Sequence, residues 1–307
     1  MKKILVIAGP TAIGKTSLSI ALAQILDGEI VSADSMQIYK MLDIGTAKPT
    51  VDERCGIPHH MLDVCDPSVR YSVADYVYEA SAVIRDIISR GKLPIVVGGT
   101  GLYIDHLLYD TSFEEGNSDA ELRSKLTQKA LDLGGSALKS ELAEVDPESA
   151  ERLHDNDIKR IARALEFYYV TGKTITEHNK NNAFKTMRFS SNFFVLYSDD
   201  RELLYNRINE RVDIMMQNGL LEEAERVCKS DWFSDSTAAQ AIGYKEFLPY
   251  FNNEASLDSC IGILKQHSRN YAKRQLTWFR AKQEACFIDI NSKKTPLEQI
   301  ISIIRKA

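Results

Sequence analysis

The chain has 307 residues, 44% of them hydrophobic and 26% charged, with a net charge of −5. That is apolar material for one large domain or two, which excludes a mainly disordered chain, and the net acidity argues against a general nucleic-acid binder. No apolar run approaches the ~20 residues of a membrane helix, so no membrane partner is expected.

Met1-Lys2-Lys3 followed by apolar residues has the look of a signal peptide, but the apolar run is short and Lys15 follows soon after. A strand, and a cytoplasmic protein acting as a monomer, are expected instead. The five cysteines are widely spaced and odd in number, and none forms a C-x-x-C pair, so neither a disulfide framework nor a zinc site is indicated. Residues 4–8 read as a buried strand that stops at Gly9-Pro10, and apolar positions at helical spacing follow from Lys15 to Leu26. A second strand is expected at 30–33, a helix at 72–90 and a third strand at 94–97, broken by Gly98-Gly99-Thr100-Gly101. Strands alternating with helices imply a parallel sheet. The texture turns acidic and small at 113–118, and only helices are expected from there to 189, one of them at 157–170. Strand character returns at 193–197. A helix capped by Asp199 or Asp200 then runs to Gly219, a long helix spans 257–282, and a last strand lies at 287–290.

The segment Gly9-Pro10-Thr11-Ala12-Ile13-Gly14-Lys15-Thr16 fits G-x-x-x-x-G-K-[ST] between a strand and a helix. Such a loop curls its N–H groups around an anion. The helix N-terminus and Lys15 add positive charge, and Thr16 offers a hydroxyl for Mg²⁺. The motif alone says that a phosphorylated ligand binds, with ATP the default. Together with the element order it indicates an α/β fold. The core is a P-loop NTPase-like parallel sheet over 1–112 and 191–307, carrying an inserted all-helical domain at 113–190.

Asp34 follows the second strand, where ligands of such sheets bind, and reads as a general base or, alternatively, as a helix cap or Mg²⁺-ordering carboxylate. The glycines at 98–101 permit close backbone approach to a ligand, or only a tight turn. Arg207 and Arg211 share a helix face and would neutralise a leaving diphosphate if they face the cleft. His59-His60 suggests packing or a hydrogen bond beside the substrate more than a metal. From Lys265 to Lys282 there are six basic residues and no acid, interleaved with Tyr271, Trp278 and Phe279. That pattern suits an RNA face with stacking aromatics, and a weaker basic cluster lies at 152–163.

These pieces in this order resemble the tRNA dimethylallyltransferases (tRNA isopentenyltransferases), of the bacterial type. The resemblance is carried by GPTAIGKT, DSMQIY, DIGTAKP, PHHMLD, IVVGGTGLY, KRIARALE, ERVDIMMQNGLLEE, AIGYKE and YAKRQLTWFR, spread over residues 9 to 280. It implies that dimethylallyl diphosphate donates its five-carbon group to N6 of the adenosine at tRNA position 37, with Mg²⁺ assisting. It further implies a catalytic set of Asp34 as base, Thr100 and Arg211, a diphosphate held by residues 9–16, and metal at Thr16. Contacts to the tRNA anticodon stem-loop would come from Asp34, Ser35, Met36, Gln37, Thr100 and Arg123, from Lys159, Arg160, Ile161, Ala162 and Arg163, from Gln240, Ala241, Ile242, Gly243, Tyr244 and Lys245, and from Lys273, Arg274, Gln275, Trp278 and Arg280. Two rival readings remain at this stage: a P-loop kinase, and a nucleotide-sensing RNA-binding switch without chemistry.

Overall fold

The computed structural model describes residues 3–110, 119–181, 186–234 and 236–306. The acidic segment 113–118 lies outside them. The chain divides into two compact units, Met1–Tyr109 with Met187–Ala307, and Asp110–Thr186. The division falls a few residues before each boundary expected from the sequence. The reason is local: Tyr109 and Met187 form an antiparallel bridge, and Asp110 N–H donates to Thr186 O at 2.8 Å, so the two chain crossings pair side by side.

The chain starts with β1 (Lys3–Ala8), α1 (Lys15–Leu26) and β2 (Gly28–Ser32). Five of the six β1 residues are buried, as a continuous apolar run requires in a strand covered on both faces. Next comes β3 (His59–His60), a two-residue strand with no sequence signal. Then follow α2 (Val73–Ser89), β4 (Leu93–Gly98) and α3 (Gly101–Leu108). Ser72 and Asp75 make a reciprocal capping box at the start of α2.

The second unit carries α4 (Ala120–Leu133), α5 (Gly135–Val145), α6 (Pro147–Arg152), α7 (Ile158–Thr171) and α8 (Ile175–Asn181). Leu126, Leu138, Leu142, Ile161 and Leu165 form its core. Gly172, at φ 70°, closes α7 in the left-handed region.

Back in the first unit, β5 (Ser190–Tyr197) starts three residues before the apolar run at 193, because Ser190, Ser191 and Asn192 pair with β1 through their backbones alone. Asp200, not Asp199, caps α9 (Arg201–Gln217), accepting the Leu203 N–H. The chain continues through α10 (Leu220–Cys228), α11 (Leu248–Phe251), α12 (Leu257–Arg280), β6 (Cys286–Asp289) and α13 (Pro296–Ile304). The six strands are all parallel, in the order β3-β2-β4-β1-β5-β6. The loops after β1, β2 and β4 therefore meet at one end of the sheet, outside the carboxyl ends of the strands, where open α/β sheets bind ligands. No helix among the described residues is long and apolar enough to cross a membrane.

Candidate active site

A cavity of about 1040 Å³ opens at that end of the sheet, within the first unit. Residues 11–17 of the phosphate loop line it, as do Asp34, Ser35, Met36 and Gln37. Gly14 at φ 98° and Ala12 at φ 61° take left-handed backbone, which turns successive amides toward one centre. Lys15 Nζ donates to Gly9 O at 2.9 Å and Pro10 O at 2.7 Å, which leaves one ammonium proton for a ligand oxygen.

Arg207 and Arg211 both line the cavity, so their shared helix face points at the phosphate loop. Arg211 Nη1 donates to Thr11 Oγ1 at 3.2 Å. Burial pushes the Lys15 ammonium down to about 7, helped by the neighbouring Arg211 charge and opposed by Asp34. Burial also pulls Arg211 below its ordinary value, against Asp34 and Glu53. Lys15 and Arg211, both buried and each destabilised in its charged form by that burial, make a site that gains from an incoming anion.

Asp34 Oδ1 accepts the Met36 N–H at 2.9 Å and the Gln37 N–H at 3.4 Å. This local turn fixes the carboxylate at the cavity edge. Thr100 Oγ1 accepts the Ser35 N–H at 3.0 Å and hydrogen-bonds with Tyr271, whose hydroxyl is pushed up to about 12 first by burial and then by the Asp34 charge. Thr100 therefore stands behind the Asp34 loop and holds it, while Tyr271 lines the cavity.

Ile208, Val212, Met215, Ile242 and Leu264 add apolar side chains to the lining beside the cations. The volume and this mixed lining suit a ligand with an anionic head and a short apolar tail.

Several residues assigned to RNA by resemblance also make contacts inside the protein. Gln37 Nε2 donates to Thr46 O at 3.1 Å and Ala47 O at 3.2 Å, bracing the 43–48 loop. Ile161 and Ala162 are fully buried in the core of the helical unit. Arg123 and Arg163 both pair with the buried Glu166, at 2.7 and 2.9 Å. Ala241 and Tyr244 are buried, and the Tyr244 hydroxyl donates to Glu223 at 3.0 Å. Gln275 is 5% exposed and bonded to the phosphate loop. Ile161, Ala162, Ala241, Tyr244 and Gln275 are thus enclosed, whereas Gln37 lines the cavity and Arg123 and Arg163 each keep more than a third of the side chain exposed. Lys159, Arg160, Gln240, Lys245, Lys273, Arg274, Trp278 and Arg280 are exposed, and Ile242 is half-buried in the cavity wall.

The glycines at 98–101 also differ from expectation. A Cβ on Gly99 would sit 2.0 Å from Gln275 Nε2, and one on Gly101 2.2 Å from Trp278 Cδ1. Gly99 and Gly101 admit α12, while Gly98, which lines the cavity, lies against the Ala33 backbone. His59 and His60 pair with β2 at the sheet edge; His60 Nε2 is 2.8 Å from Glu29.

Glu223 closes the ERVDIMMQNGLLEE block, which predicted no role for it. Its carboxylate accepts the N–H groups of Asp43, Ile44 and Gly45 at 2.9–3.3 Å, and Gly45 and Thr46 line the cavity.

Among the described residues no group of three His, Cys, Asp or Glu side chains converges as a metal site. Mg²⁺ needs less than that. It is commonly held by one or two protein oxygens plus substrate phosphates and water. Thr16 and Asp34 both line the cavity beside the anion cradle, so this donor set fits such a cation.

The IPP transferase family model matches residues 37–282, and the isopentenyl transferase model matches residues 2–69. A tRNA dimethylallyltransferase of Bacillus velezensis is 45% identical over 305 residues, 97% of this chain and 96% of the relative. One from Bacillus cereus is 48% identical over 289 residues, 94% of this chain and 90% of the relative. Among solved structures, the full-length tRNA isopentenylpyrophosphate transferase of Bacillus halodurans matches with TM-score 0.74 at 38% identity, over 100% of this chain and 96% of that one. A eukaryotic dimethylallyltransferase captured acting on tRNA matches with TM-score 0.81 at 35% identity, over 100% of this chain and 79% of that one. A family model spanning most of the chain, and relatives this similar along nearly all of it, place the protein in the tRNA dimethylallyltransferase (IPP transferase) family.

Proposed function

We propose that the protein transfers a dimethylallyl group from dimethylallyl diphosphate to N6 of adenosine 37, beside the anticodon of tRNA, releasing diphosphate. The observation that carries this reading is one cavity lined both by a phosphate loop and by Asp34, with apolar side chains of α9 and α12 among its lining.

An adenine exocyclic amine is a weak nucleophile, because its lone pair is delocalised into the ring. The allylic carbon compensates, since loss of its C–O bond leaves a delocalised cation. Charge then grows on the diphosphate, where the loop amides, Lys15 and Arg211 stabilise it. The N6 proton passes to Asp34 as the C–N bond forms. Thr16 would hold a Mg²⁺ ion, which would supply further charge neutralisation. The apolar side chains of the lining shield the allylic carbon from water.

The target base is stacked in an RNA loop and has to be turned out of it, at a cost of a few kcal/mol. Lys273, Arg274 and Arg280, exposed along α12, suit the RNA backbone there; Lys159 and Arg160 on α7 add a second basic patch. The cavity's lining residues all belong to the first unit, and we propose that the protein acts as a monomer. A tRNA substrate is consistent with the cytoplasmic location we propose.

The test is incubation with dimethylallyl diphosphate and unmodified tRNA, followed by mass spectrometry of anticodon-loop fragments. A five-carbon mass increase on the adenosine 3′ of the anticodon is expected. Phosphoryl transfer from ATP with no alkylated adenosine would overturn the proposal.

A further inference from the structure

The resemblance assigns Gln275 to RNA, yet its amide faces inward. Gln275 Oε1 accepts the Thr11 N–H at 2.9 Å, across 264 residues of chain. Its Nε2 donates to Gly99 O at 3.0 Å. The amide orientation is dictated by its partners, since Thr11 N–H needs an acceptor and Gly99 O needs a donor. The close approach exists because residue 99 has no Cβ.

Thr11 is held twice, by Gln275 at its N–H and by Arg211 at its hydroxyl. It opens the strained stretch that puts Ala12 in left-handed backbone. Gln275 thus ties the first turn of the phosphate loop, the turn that carries Thr100, and α12 at a single point.

We propose that Gln275 is a positioning residue of the diphosphate cradle, holding the Thr11 turn against the Gly99 turn, and not a contact for RNA. This rests on the diphosphate reading of the cavity. Loss of the amide frees the Thr11 turn, misaligns the loop amides and weakens the grip on diphosphate, while the exposed cations of α12 keep the RNA.

The experiment compares wild type, Gln275→Leu and Gln275→Glu by calorimetry with inorganic diphosphate in Mg²⁺ buffer, by KM for dimethylallyl diphosphate, and by filter binding of tRNA, with circular dichroism and Tm on each variant. Gln275→Leu is expected to raise the diphosphate Kd and the KM by about tenfold or more, leaving tRNA affinity within about twofold. Gln275→Glu keeps the acceptor for Thr11 but not the donor for Gly99 O, and is expected to show a smaller rise; should the leucine variant not fold, this one decides. Loss of tRNA affinity with unchanged diphosphate affinity, or diphosphate affinity within about twofold in both variants, overturns the proposal. Diphosphate binding is read without RNA, so a wild-type protein that binds diphosphate but does not alkylate tRNA would strike the proposed function and leave this comparison standing.

Discussion

Diphosphate binding should take up a proton. Lys15 is enclosed beside Arg211, and burial holds its ammonium down at about 7. In the free protein the side chain is therefore charged below pH 7 and neutral above it. An incoming diphosphate favours the charged form, so the ligand binds to the protonated fraction. If Kd scales as the inverse of that fraction, affinity weakens about fivefold from pH 7 to 8 and about ninefold more from pH 8 to 9. The prenyl diphosphate's own last proton, with a pKa of about 6, is gone before this range. Calorimetry at pH 8 in two buffers of different ionisation enthalpy should report about 0.9 proton taken up per ligand. Lys15→Arg keeps its charge throughout and should bind with little dependence on pH. A flat wild-type affinity from pH 7 to 9, with no proton uptake at pH 8, would refute the reasoning.

Arg211→Met removes a positive neighbour of Lys15, so it should weaken diphosphate binding and also move the break in the pH profile upward; a break left at pH 7 would show that burial alone sets it. Asp34→Ala should lower kcat by about 10²–10⁴ while tRNA affinity changes little, and near wild-type turnover would remove Asp34 as the base. Lys273→Ala and Arg274→Ala should each weaken tRNA binding and reduce the slope of log affinity against log salt by about 0.7–0.9, read by filter binding across a salt series. Glu223→Ala leaves three backbone N–H groups and the Tyr244 hydroxyl without their acceptor, and should cost on the order of 3 kcal/mol in urea unfolding; a change below about 0.5 kcal/mol would show that water replaces the carboxylate.

Much was legible in the residues alone. The phosphate loop, the alternation that makes a parallel sheet and the basic run on α12 each follow from local pattern: a glycine-flanked turn, apolar runs of strand length, and cations at helical spacing. From these, and from the order of the blocks, the fold class and the family emerged. What stayed hidden depends on partners far along the chain. Two-residue β3 exists only because β2 offers an edge, and Ser190 joins β5 only because Lys3 lies beside it. Arg207 and Arg211 could equally have faced water; the packing of α9 turns them to the cavity. The resemblance offered Arg123, Arg163 and Gln275 as RNA contacts, but a buried Glu166 pairs with the two arginines and the phosphate loop holds the glutamine. A side chain's type limits which bonds it can make; only the folded chain decides which partner is within 3 Å to make them.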